Sequence, residues 1–185
     1  FAVGDTVDGG AGTDTLAVSQ AITAAQWAGV KNVEAVSFTA AGFTQDASLL
    51  TGVNTFTVSG AGTEVLNKLS NNADVTVSTT TTTLTASLAD ATGLTDALKV
   101  QLNPSSGTTA SFTLGTLSDV TGLEQLNLVA NGSSNAVVNT ITTDSVVAKH
   151  VVTGTGSLTI TNAIATSQFD ATGLTGNLTV TAAAG

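Results

Sequence analysis

An all-β fold, a parallel β-solenoid with short helical turns, is what this sequence predicts, on three observations. The 185 residues are 42% hydrophobic and only 9% charged, against about 25% charged in ordinary globular chains. Threonine makes up about a fifth of the chain and supplies the polar surface beside abundant Ala, Val, Leu and Gly, a mixture that favours strands with small side chains in regular layers. A loose motif recurs five times: a small residue, glycine, a branched apolar residue, two mostly polar positions, then apolar residues on alternating positions. The copies span 28–36, 51–58, 92–100, 121–128 and 172–180. Repeating corners and strands with no fixed loop length suit coils that stack along an axis. A β-sandwich is the alternative, because many short strands fit it as well.

Read from the start, residues 9–16 spell Gly-Gly-Ala-Gly-Thr-Asp-Thr-Leu, one copy of the nonapeptide G-G-x-G-x-D-x-U-x. Its glycines let the backbone turn tightly with carbonyls inward, Asp14 adds a carboxylate, and such oxygens suit a hard cation like Ca²⁺. Leu16 and Val18 then share one face of a short strand. The predicted Ca²⁺ ligands are Asp8, Gly9, Ala11 and Asp14, with Asp5 as a further candidate. A glycine-rich hairpin turn with solvated aspartates is the competing reading.

Each motif copy ends in period-two alternation, so one side of its strand faces a core. Asp90, Asp119 and Asp170 stand just before three of the Thr-Gly corners. They are additional metal candidates, although an Asx turn is the preferred reading. Strands are also expected around Val75–Val77, Phe112–Leu114, Val137–Val138, Val151–Val152 and Leu158–Ile160. Helix is expected at 63–69, where Thr63 caps apolar residues at helical spacing and Asn71-Asn72 ends the run, and for a turn or two at 21–28 around Trp27. The run Thr79 to Thr83 reads as an outward strand or a loop, and Pro104 with Ser105-Ser106-Gly107 as a surface loop. Organisation is expected as a metal-binding edge over 1–18 and one irregular solenoid over 19–185, within a longer chain.

Charge and residue inventory exclude several functions. Net charge is −9, with no arginine and Lys31, Lys68, Lys99 and Lys149 as the bases, so phosphate backbones and anionic membrane surfaces are repelled. No apolar run approaches membrane-spanning length. Absence of cysteine removes disulfide and thiolate chemistry. His150 is the single histidine, expected at a strand edge, and without cysteine it builds no ordinary zinc site. No Gly-x-Ser-x-Gly elbow accompanies it, and no sugar-stacking aromatic platform stands near paired carboxylates. An enzyme is not expected. Thr-apolar-Thr pairs such as Thr55/Thr57 and Thr159/Thr161 read as ordinary outward alternation rather than an ice-binding ladder.

The nonapeptide at 9–16 resembles the calcium-binding β-rolls of RTX proteins, and the Thr-Gly-Leu/Val strands with their acidic, cysteine-free composition look like type I-secreted surface-layer and adhesin proteins. That resemblance implies a secreted structural segment at the bacterial cell surface, in an S-layer or extracellular matrix. It implies Ca²⁺ as the bound ion, folding outside the cell, and self-association with lattice or filament neighbours. An adhesin module recognising glycan or protein, or a non-catalytic module of a secreted enzyme, is the alternative.

Overall fold

The computed structural model describes residues 1–78, 82–103, 109–117, 123–131, 135–143, 147–164 and 168–182. In chain order the elements begin β1 (Val7–Asp8), β2 (Thr15–Val18), α1 (Ala24–Trp27), β3 (Val30–Lys31), β4 (Ala35–Phe38), β5 (Thr44–Asp46), a 3₁₀ turn (Ala47–Leu49) and β6 (Thr55–Val58). Then follow β7 (Thr63–Leu69), β8 (Ala73–Val77), β9 (Thr82–Leu88), β10 (Ala97–Leu102), β11 (Thr109–Leu117) and β12 (Gln125–Ala130). The last are β13 (Asn135–Thr143), β14 (Lys149–Gly154), β15 (Ser157–Ile164), β16 (Gln168–Leu174) and β17 (Leu178–Ala182).

These strands form a parallel β-solenoid. Even-numbered strands β2 to β16 make one eight-stranded sheet in chain order, and odd-numbered strands β5 to β17 make a seven-stranded sheet opposite it. Short β1 and β3 pair on a third, minor face. The pairing is parallel throughout, including β2 with β4, β10 with β12, and β15 with β17. A Greek-key sandwich would need antiparallel neighbours, so the solenoid is the architecture. Along the first sheet Leu16, Val36, Phe56, Val75, Val100, Leu128 and Val152 stand in register. Successive coils are therefore 19 to 28 residues long, which is why the motif spacing looks irregular.

The core lies between the two large sheets. Phe38, Phe56, Leu66, Leu69, Leu84, Leu98, Leu126 and Leu128 are fully buried within it, and strand alternation places them there. Phe38 and Phe43 stack at 4.2 Å between ring centroids. At the N-terminal end α1 occupies one turn, with Thr23 and Gln26 forming a capping box and Trp27 buried, as the sequence reading placed it. Gln45 of β5 bonds both the N–H and the carbonyl of Ile22 through its side chain, which ties the entering segment onto the sheet.

Three expectations change. Residues 63–69 are strand β7, not helix. Val65, Leu66 and Leu69 have helical spacing, but a register shift between Leu66 and Leu69, with Lys68 at φ 57°, bulges the strand. Leu66 and Leu69 consequently both face inward although three residues apart. His150 is not at an exposed strand edge: it is fully buried in β14 between β12 and β16. The motif at 172–180 is also displaced. The first four copies lead into strands of the eight-stranded sheet, whereas Thr172-Gly173-Leu174 lies inside β16 and leads to β17 of the other sheet. Thr79 to Thr81, Pro104 to Gly107 and Asp119 lie outside the described residues.

Candidate functional site

The polar chemistry concentrates at one corner of the coil. Asp14, Glu34, Asn54, Asn72, Asp96 and Glu124 each sit one residue before a strand of the eight-stranded sheet. Chain entering a strand has backbone groups outside the ladder, and the side chains of Glu34, Asn54 and Glu124 bond such groups.

Two successive coils form a clasp at Asp14. Its backbone N–H donates to Glu34 Oε2 at 2.9 Å, while its carbonyl accepts from the N–H groups of Glu34 and Ala35 at 3.1 and 3.0 Å. The same frame recurs at Asp96. Its N–H donates to Glu124 Oε2 at 2.7 Å, and its carbonyl accepts from Glu124 and Gln125 at 3.0 and 3.1 Å. Asp96 Oδ1 accepts from Asn71 Nδ2 at 2.8 Å, and Asn71 Oδ1 accepts from the Ala97 N–H at 2.9 Å.

Each clasp leaves one buried carboxylate oxygen without a hydrogen-bond partner, Asp14 Oδ2 and Asp96 Oδ2. An unsatisfied buried polar group costs about 1–3 kcal/mol, and more when charged. Both carboxylates lie under a glycine. A Cβ on Gly9 would stand 2.0 Å from Asn32 O and 2.7 Å from Asp14 Cβ, and one on Gly93 would stand 2.7 Å from Asp96 Oδ2. Glu64 provides the contrast. It is fully buried and reaches back to the preceding coil, and its two oxygens accept from Gly42 N–H at 3.0 Å and Phe43 N–H at 3.1 Å.

Of the other predicted ligands, Gly9 packs on Asp14 and its N–H joins Lys31 O at 3.0 Å. Asp8 turns toward the next coil: Oδ1 accepts from Asn32 Nδ2 at 2.7 Å and from the Gly10 N–H at 3.0 Å. These bonds, Asn32 foremost, hold its carboxyl below the ordinary aspartate range. Ala11 is exposed. Asp5 Oδ2 accepts from Ala2 N–H at 2.7 Å in the first turn. Asp90 and Asp170 form matching turns, each Oδ1 accepting from the hydroxyl and N–H of the threonine two residues on, at 2.7 and 3.0 Å. Those bonds, the threonine hydroxyl first, lower both carboxyls. Among the described residues no three Asp, Glu, His or Cys side chains converge as a metal site.

For a hard cation Asp14 offers one orphaned carboxylate oxygen, with the Glu34 carboxylate of the next coil held at its backbone N–H. Sequence reasoning found Asp14 but missed Glu34, Asp96 and Glu124. The signal was present as Thr-Asp-x-Leu-x-Val at both 13–18 and 95–100, followed one coil later by a glutamate at the strand entrance. Comparisons with protein-family models, curated proteins and solved structures find no significant match.

Proposed function

We propose that this chain is a calcium-stabilised structural segment of a secreted bacterial surface protein, in an S-layer or extracellular matrix, that associates with its own copies. The observation that carries the reading is Asp14, whose buried, unpaired Oδ2 lies in the glycine-rich turn with Glu34 of the next coil alongside. Asp14 and Glu34 would hold the ion, and Ca²⁺ would neutralise two carboxylates that otherwise repel each other across stacked coils.

The solenoid supports the structural role. Its coils add by parallel strand pairing along both large sheets, an architecture in which stability accumulates along one axis and suits an extended structural element. Among the described residues no helix is long and apolar enough to cross a membrane.

Electron microscopy of the purified parent protein through a Ca²⁺ titration, with Mg²⁺ as control, tests the proposal. Ordered sheets or filaments appearing with Ca²⁺ are the expected outcome. Dispersed particles at every calcium concentration would overturn it and favour the adhesin or appended-module reading.

A further inference from the structure

We propose that Asp96, positioned by Asn71 and with the Glu124 carboxylate at its backbone N–H, forms a second divalent-cation site, which calcium fills to fasten the coil of β10 to the coil of β12. Nothing in the nonapeptide points to it, because residues 91–96 read Ala-Thr-Gly-Leu-Thr-Asp and carry one glycine rather than three. It shares the calcium chemistry proposed for Asp14 but stands on its own residues.

The first argument is burial without a partner. Asp96 is 5% exposed, and its Oδ2 is buried and makes no hydrogen bond. Its other oxygen is held by Asn71, and Asn71 is itself fixed by Ala97 N–H. The carboxylate is therefore positioned, with one oxygen left over. A charged oxygen buried in that state is costly unless a cation pairs with it.

The second argument is shape. Asp96 lines an open cleft with Asn71, Ser70, Asp90 and Gly93. A Cβ on Gly93 would stand 2.7 Å from Oδ2, so only glycine fits beside the carboxylate. No lysine neutralises the pair: among the described residues the ion pairs are Lys68–Asp46 and Lys99–Asp74.

The third argument is repetition. The backbone frame of Asp96–Glu124 matches that of Asp14–Glu34 bond for bond, and both leave the same Oδ2 unpaired. Where this fold buries a carboxylate with no role for an ion, at Glu64, both oxygens are satisfied by backbone N–H groups. Carboxylate, amide and carbonyl oxygens with water completing the shell are the ligands calcium takes.

Calorimetric titration of the whole chain with CaCl₂, and with MgCl₂ as control, tests this. The intact chain takes up two equivalents of calcium, and Asp96→Asn takes up one. Asp14→Asn also takes up one, so loss of the Asp14 reading alone appears as a single equivalent that Asp14→Asn does not remove. Glu124→Gln binds the second equivalent at least roughly tenfold more weakly. Far-UV circular dichroism confirms that each variant folds. An Asp96→Asn chain with undiminished stoichiometry would overturn the proposal. So would one that melts above the parent by the same margin in calcium and in chelator, because Asp96 would then be only an unpaired acid.

Discussion

Replacing His150 with leucine should make this protein more stable and flatten its response to mild acid. His150 stands in a ladder of core residues, in register with Leu126 on one side and Phe169 on the other, and Leu126 is in register with Leu98. Its ring lies 6.2 Å from that of Phe169. It is fully buried, and neither ring nitrogen has a hydrogen-bond partner. A neutral imidazole carries one donor and one acceptor, and leaving each unmet costs about 1 kcal/mol at the low end, so His150→Leu should stabilise by about 2 kcal/mol. In a chain of this size that is about 4–8 °C in melting temperature.

Acid adds a second signature of the same residue. Burial lowers the His150 pKa below its ordinary 6.5, so below that pH the unfolded chain binds a proton that the folded chain refuses. Stability is then lost as pH falls from about 6.5 toward the folded-state pKa, at about 1.4 kcal/mol per pH unit. The lowered aspartates, Asp8, Asp46, Asp90 and Asp170, carry the same sign but lose their contribution only as pH falls below the ordinary 3.8. Thermal melts of parent and His150→Leu between pH 5 and pH 8 read both effects. A variant that melts lower at neutral pH, or that keeps the parent's slope between pH 5 and 6.5, would refute the reasoning.

Three other substitutions have defined outcomes. Asp14→Ala should lower the melting temperature in calcium but not in chelator, and an equal loss in both would remove Asp14 from metal binding. Glu64→Ala strips the acceptor from one buried and one part-buried backbone N–H group and should cost about 2 kcal/mol, measured by denaturant unfolding. Lys99→Ala breaks a 2.8 Å ion pair to Asp74 whose side chains are 40% and 24% exposed, and by the same assay should cost under about 1 kcal/mol.

Strand alternation made the coil legible, because period two is a property of sequence and survives irregular loops. Val75–Val77, Val151–Val152 and Leu158–Ile160 all fall in the strands expected of them, and so do Phe112–Leu114 and Val137–Val138. The bulge at Lys68 was hidden, since a residue in a left-handed conformation changes which positions share a face without leaving a mark on hydropathy. His150 could have been placed: it is two residues from Val152, so alternation puts both on the inner face, and its polarity argued the wrong way. The clasps stayed hidden for another reason. Glu34 meets Asp14 across 20 residues and Glu124 meets Asp96 across 28, a pairing fixed by coil length, which varies from turn to turn.

Melting temperature followed from chelator into millimolar calcium, with magnesium in parallel, tests most directly whether this solenoid is built around calcium. Mass action predicts a continuous rise that reaches about 2.7 kcal/mol of added stability per site at a hundred times the dissociation constant, with magnesium leaving the melt near its chelator value. One melting temperature shared by chelator, calcium and magnesium would contradict the account.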